Sequence, residues 1–221
     1  MPSRLRALLV VACAALVFAA LAPAAQADVV GGPETAARFD GIAQHGRALG
    51  SPQAPVTLTI FIELKCPFCR QFDRNVLPSV ISRYVRSGKV RVVAEPLAFI
   101  PTDSKQAATM AIALGLQNKF WNFTDLFYAN QLDESTDYIT DEYLLGIAAA
   151  IPGADGPAAL AARSGAKVQK SFAGSKRRMT KLGVNGTPTI FINRTGKRLQ
   201  RVAVFYRGET LRALRNALRS K

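Results

Sequence analysis

Cys66-Pro67-Phe68-Cys69 sits where an apolar strand runs into an amphipathic helix, and this placement constrains the fold more than any other feature of the chain. Two thiols at this spacing can close on each other, and a helix N-terminus stabilises the thiolate of the first. Far downstream, Gly186-Thr187-Pro188-Thr189 precedes a second apolar run, Ile190-Phe191-Ile192. A dithiol at a strand-to-helix junction and a remote strand-entry proline point together to thiol–disulfide chemistry.

The surrounding pattern predicts the elements that carry these residues. Val56 to Ile62 alternates and is β-branched, which reads as a strand whose end, Glu63-Leu64-Lys65, delivers the chain to Cys66. Pro67 suits a first helical turn, where its missing N–H costs nothing. Phe68, Phe72, Val76, Val80 and Tyr84 recur at helical spacing on one face, with a kink expected at Pro78 and a stop at Gly88. Val90 to Ala94 reads as a second strand, stopped by Pro96, so the dithiol sits in a strand–helix–strand unit that favours a parallel pair. From Asp103 to about Gly183 the pattern is helical, with helices over 104–117, 120–131, 141–150 and 167–182 and breaks at Pro152, Gly153, Gly156 and Pro157. Strands return at Thr189–Ile192 and Leu199–Phe205 as a hairpin, followed by a helix over 209–220. The expected fold is therefore α/β, with a helical insertion at about 102–183 inside a single domain over 55–221, and with 28–54 as an N-terminal arm.

Compartment decides whether such a dithiol is oxidised. Arg4 and Arg6, the apolar stretch Ala7–Ala22 and the small-residue site Ala25-Gln26-Ala27 describe a secretory signal peptide over 1–27, with an uncleaved anchor as the alternative. Either way the remainder is expected outside the cytoplasm, in the periplasm or cell envelope, secreted or anchored. Cys13 falls in this segment and is given no redox role. Cleavage after Ala27 leaves only Cys66 and Cys69, so the fold must rest on its hydrophobic core rather than on a disulfide framework. With 49% apolar residues the chain can supply that core.

The chain carries 29 Lys and Arg against 15 Asp and Glu, a formal charge of +14, which the loss of Arg4 and Arg6 barely changes. Such a balance suits an exported protein that meets acidic envelope polymers, lipid headgroups or acidic clients, with a solvated basic surface as the plain reading. No aromatic-basic stacking motif or recognition helix stands out, so nucleic acid is not an expected partner.

A dithiol enzyme needs an accessible thiolate and a second thiol that resolves the mixed disulfide. Cys66, at the helix start, is the candidate nucleophile; Cys69, one turn on and facing inward beside Phe68 and Phe72, is the candidate resolving residue. Pro67 and Phe68 set the loop conformation and local polarity. A structural zinc site would need four ligands, whereas the chain beyond residue 27 offers two cysteines and His45, so no metal is expected. A purely structural disulfide would close too short a loop to stabilise much through chain entropy. It defines the competing reading, an envelope-associated binding protein with an inert disulfide.

The stretch from Ala54-Pro55-Val56 through Glu63-Leu64-Lys65-Cys66-Pro67-Phe68-Cys69-Arg70 resembles the DsbA-like branch of the thioredoxin superfamily, as do Lys119-Phe120-Trp121-Asn122-Phe123 and Val184-Asn185-Gly186-Thr187-Pro188-Thr189. The likeness covers residues 41–218 or so. It implies a thioredoxin-like βαβ…ββα fold with a central mixed sheet, an exported thiol–disulfide oxidoreductase, and client proteins with cysteines. It also implies a membrane redox partner that recycles the dithiol, and no cofactor beyond the Cys66–Cys69 disulfide itself. It further implies that Thr187-Pro188 is a cis bond facing the dithiol and positioning client backbone. Dimeric isomerases of the superfamily carry a separate N-terminal domain for which 28–54 is too short, so a monomer is expected. Two departures stand out. Phe68 replaces the histidine that helps hold the thiolate in DsbA, so strong oxidant character is not carried over. Glu63 stands where many relatives have Asp; it is a candidate proton relay, with a solvated strand-end carboxylate as the favoured reading. Trp121, Phe120 and Phe123 are expected in the insertion core rather than in a client groove.

Overall fold

A computed structural model of the chain describes residues 29–220 except Val204. The segment read as a signal peptide, with Cys13, lies outside the described residues. In chain order the elements are α1 (Gly32–Phe39), β1 (Gln44–His45), β2 (Ala48–Leu49), β3 (Val56–Glu63), α2 (Pro67–Asn75), α3 (Leu77–Val80), a π-helical turn (Ile81–Val85), β4 (Val90–Leu97), α4 (Ser104–Gly115), α5 (Phe120–Ala129), α6 (Asp141–Ala149), α7 (Gly156–Ala162), α8 (Ala166–Lys181), β5 (Thr189–Arg194), β6 (Gln200–Arg201) and α9 (Arg207–Arg219).

The strands form one mixed sheet in the order β1-β2-β4-β3-β5-β6. The apolar β3 takes the centre, parallel to β4 and antiparallel to β5. It is buried at every position but Thr57, as a strand covered on both faces must be. Leu58 and Ile60 of β3, Met110 and Leu114 of α4, and Phe123 and Phe127 of α5 belong to one continuous core. The inserted helices thus share the core of the sheet instead of forming a body of their own. This is the α/β thioredoxin-like architecture expected from the sequence. Phe120, Trp121 and Phe123 are buried in that core.

Several local expectations are corrected. Residues 28–54 are no arm: α1 packs on α5, and the β1–β2 hairpin joins the sheet when Leu49 and Ala48 pair with Val92 and Val93. The Gly and Ala content that suggested a linker instead serves tight turns, including Gly50 at φ 92°, which lies against Val85 and the Val90 carbonyl. Pro96 does not stop β4, which runs on to Leu97. Beyond Val93 no strand flanks β4 on the β2 side, so a residue without an N–H is tolerated on that open edge. Gly156 and Pro157, read as breakers, open α7, whose N-cap Asp155 accepts from the Ala158 N–H. The helix after the dithiol ends at Asn75 and restarts with Pro78 in the first turn of α3. The final hairpin strand is only Gln200–Arg201, both exposed, with one further bond from the Val202 N–H to the Ile190 carbonyl.

Candidate active site

The strand-to-helix junction places Cys66 at the N-cap of α2, with Pro67 in the first turn. Both cysteines are free thiols, Cys66 6% exposed and Cys69 1% exposed, so only the first has an edge open to solvent. The Thr187–Pro188 peptide is cis and faces the dithiol, as the resemblance implied: the Cys66 thiol donates to the Thr187 carbonyl at 3.4 Å. The two sequence segments, 121 residues apart, therefore meet at the sulfur.

The same fold drives the two thiols in opposite directions. Hydrogen bonding from the Cys69 side chain, opposed by burial and helped by the Thr187 hydroxyl and the Cys69 and Phe68 N–H groups, brings Cys66 down to about 6. Full burial, with Cys66 adding to it, holds Cys69 well above the ordinary thiol value. The Thr187 Oγ1 is buried and bonds to no other protein group in the dithiol state, so its donor is available to a thiolate. Donors other than a histidine thus hold the Cys66 sulfur. Thr187, which the sequence left between a role at the sulfurs and a plain strand entry, belongs to the site.

Phe68 departs from the sequence reading. Helical periodicity put it on the inner face with Phe72, yet it is 57% exposed, whereas Phe72 is buried. In the first turn of α2 it is Cys69 that enters the core, leaving Phe68 on the outer side. Its ring rests against Phe205 with centroids 6.1 Å apart.

Glu63 is corrected as well. It is fully buried, not solvated, and burial, opposed by hydrogen bonds from the Phe99 and Lys65 N–H groups, pushes its carboxyl up to about 7. Its own N–H lies 3.5 Å from the Cys69 sulfur. A carboxyl that titrates near neutrality, on the residue whose N–H meets the Cys69 sulfur, is the candidate proton relay of this site.

Three supporting residues were missed by the sequence reading. Tyr128 Oη donates to the Glu63 carbonyl, and Gln131 Nε2 donates to the carbonyls of Leu64 and Cys66, at 2.6 and 3.2 Å. Both come from α5 or its C-terminal exit, and their i, i+3 spacing was the only available signal. Lys65 is fully buried and donates to Asp103 at 2.6 Å and to the carbonyls of Pro101 and Thr136. It thereby ties two loops to the residue before the nucleophile.

Comparisons with known proteins agree with this geometry. Residues 43–201 match the family model described as Thioredoxin. Over 150 residues the chain is 32% identical to the probable disulfide bond formation protein D of Bacillus cereus, covering 66% of this chain and 69% of that protein. Over 151 residues it is 26% identical to disulfide bond formation protein D of Bacillus subtilis, covering 66% of each. Among solved structures, oxidised BdbD from Bacillus subtilis superposes with a TM-score of 0.72 at 20% identity, over 80% of this chain and 94% of that one. DsbA of Chlamydia trachomatis superposes with a TM-score of 0.65 at 19% identity, over 79% and 92%. These structural likenesses show a DsbA-like fold, and the family match, over residues 43–201, makes the assignment: the chain belongs to the thioredoxin family.

Proposed function

We propose that the chain is an exported thiol–disulfide oxidoreductase that donates its Cys66–Cys69 disulfide to client proteins. The observation that carries this reading is the opposed proton affinity of the two thiols, with Cys66 down at about 6 and Cys69 held high. In the oxidised protein a client thiolate attacks the Cys66 sulfur, and Cys69 leaves and takes up a proton. A second client thiolate then attacks the client sulfur of the mixed disulfide and expels Cys66 as a stabilised thiolate. The client gains a disulfide, the protein becomes a dithiol, and two electrons have moved from client to protein. A low-pKa leaving thiolate speeds the last step and stabilises the reduced form, which makes the pair oxidising.

In this scheme Glu63 supplies and removes the Cys69 proton, a role supported by its N–H lying 3.5 Å from the Cys69 sulfur and its carboxyl titrating at about 7. Thr187 and Pro188 border the reacting sulfur, and backbone groups there are placed to pair with an extended client. Pro67 shapes the loop, and Phe68 offers an apolar rim to the client. No metal or organic cofactor takes part in this scheme. A membrane redox partner reoxidises the dithiol, and the protein acts as a monomer in the periplasm or cell envelope. The leader-like sequence and the relatives called disulfide bond formation proteins support export and direction. No helix among the described residues is long and apolar enough to cross a membrane.

The test is refolding of a reduced, unfolded client by catalytic amounts of the protein in glutathione disulfide. Turnover is expected, with Cys66→Ala inactive and Cys69→Ala trapped as a mixed disulfide. Full turnover by Cys66→Ala would end the reading and favour an inert disulfide.

A further inference from the structure

A concave, cationic surface lies away from the dithiol. Helix α8 buries Val168, Phe172 and Ser175 and turns a stripe of Lys167, Lys170, Arg177, Arg178 and Lys181 outward. With Arg47, from the β1–β2 turn, these line a cavity of about 610 Å³, whose floor is the small residues Ser171 and Gly174. A Cβ at Gly174 would meet only the tip of Arg177, at 3.8 Å, so the floor is open to a chain. Beneath it lies the buried Glu95, bound by Arg47, by Ser175 at 2.7 Å and by Arg178 at 3.3 Å. That carboxylate partners two of the six cations. Among the described residues, Lys167, Lys170, Arg177 and Lys181 have no carboxylate within ion-pair reach. Like charges three and four residues apart repel on a helix, and a concave wall focuses their field. The stripe therefore weakens its own helix unless an anion covers it.

The C-terminal end of the cleft is linked to the dithiol through the chain. Lys181 closes α8, and a few residues later the chain forms the Thr187 carbonyl contact with Cys66. Glu95 pairs across the sheet with Phe61, two residues before Glu63, so it lies about 7 Å along the strand from the level of the dithiol carboxylate. An extended peptide can lie along this open surface with its carboxylates against the four unpaired cations. Carboxylates at alternate positions of an extended chain recur every 6.6 Å or so, close to the rise of roughly 6 Å between Arg177 and Lys181 at the C-terminal end of the stripe.

We propose that this cleft receives an acidic stretch of the client, a run of Asp and Glu near its reactive cysteine. The inference rests on the oxidoreductase reading and adds a preference for substrate to it. Binding in the cleft raises the effective concentration of the client thiol at Cys66.

The experiment compares two reduced dithiol peptides, identical except for four Glu or four Gln beside the cysteines, as substrates of the oxidised protein. The acidic peptide is expected to react about tenfold faster at low ionic strength, an advantage that shrinks with salt. The triple variant Lys170→Gln, Arg177→Gln, Lys181→Gln is expected to erase that advantage and leave the neutral peptide's rate unchanged. The triple Arg212→Gln, Arg215→Gln, Arg219→Gln removes the same charge from α9 and is expected to keep it. Equal rates for the two peptides would overturn the inference, as would equal loss in both triples, which would show net charge at work. It is also overturned if the α8 triple releases the protein from phosphatidylglycerol vesicles without changing the peptide preference, since the cleft would then serve a bilayer. Exchange with neither peptide would overturn the oxidoreductase reading and this inference with it.

Discussion

Cys66 and Cys69 are the same side chain three residues apart, and their surroundings give them opposite proton affinities. In the reduced protein, thiolate absorbance is expected to rise with a midpoint near pH 6, the Cys66 value. Thr187→Val removes a donor and should move that midpoint up, Cys69→Ala should move it further, and Thr187→Ser should restore it; a wild-type midpoint near 9 would contradict the account. Glu63 carries the opposite sign. Its folded value, about 7, lies above the ordinary 4.5, so its contribution to stability is full below pH 4.5 and is lost as pH rises through 7. Glu63→Gln should therefore raise the urea midpoint at pH 8 and leave it unchanged below about pH 4.5. It should also slow formation of the mixed disulfide, the step in which Cys69 leaves and takes up its proton, by tenfold or more, the scale of a lost proton-transfer group. At this scale the cysteines and Pro188 were legible because their chemistry is local. The burial of Glu63 was not, because Phe99 and Tyr128, which approach it from 36 and 65 residues away, leave no mark on the strand-end sequence. Phe68 misled for a related reason: periodicity assigns a face but cannot say where the core ends.

The elements around the dithiol are tied together by buried charge. Thr35 and Arg38 of α1 hydrogen-bond Asp125 of α5, Arg38 lies 3.7 Å from Asp73 of α2, and Arg74 lies 3.6 Å from Asp125. Burial, with the Asp125 charge adding to it, holds the Asp73 carboxyl well above its ordinary range. Arg38→Ala removes the cation bound between two buried carboxylates, leaving Asp125 only the more exposed Arg74, and should destabilise the fold by about 3 kcal/mol or more in urea unfolding. A loss below about 0.5 kcal/mol would return the N-terminal segment to the status of an arm. Sequence patterning found β3, α4, α5 and α8 to within a few residues, because each has a continuous apolar face. It failed on α1, β1 and β2, where strands of two residues carry no period and the deciding contacts are with residues about 45 to 90 positions away.

For the whole molecule, the thioredoxin-like plan with inserted helices followed from the order of apolar segments, while the packing of those helices into the core of the sheet required the structure. The basic cleft along α8 was visible only as net charge until the fold set Arg47 beside the helix. A redox consequence also belongs to this scale. The Cys66 thiolate exists only in the reduced form, and its folded value lies below the unfolded one. This contribution to the stability of the reduced protein should therefore be full above about pH 9 and be lost as pH falls to about 6, a trend absent from the oxidised protein. Thermal unfolding of both forms across that range checks it, and parallel pH profiles would contradict it. The most direct test of the central claim is the reduction potential of the Cys66–Cys69 pair, measured by equilibration in glutathione buffers. The account predicts an oxidising value, about −120 to −180 mV. A value near −270 mV would make the protein a reductant, and a bond that resists reduction below about −300 mV would make the disulfide structural; either contradicts a disulfide donor.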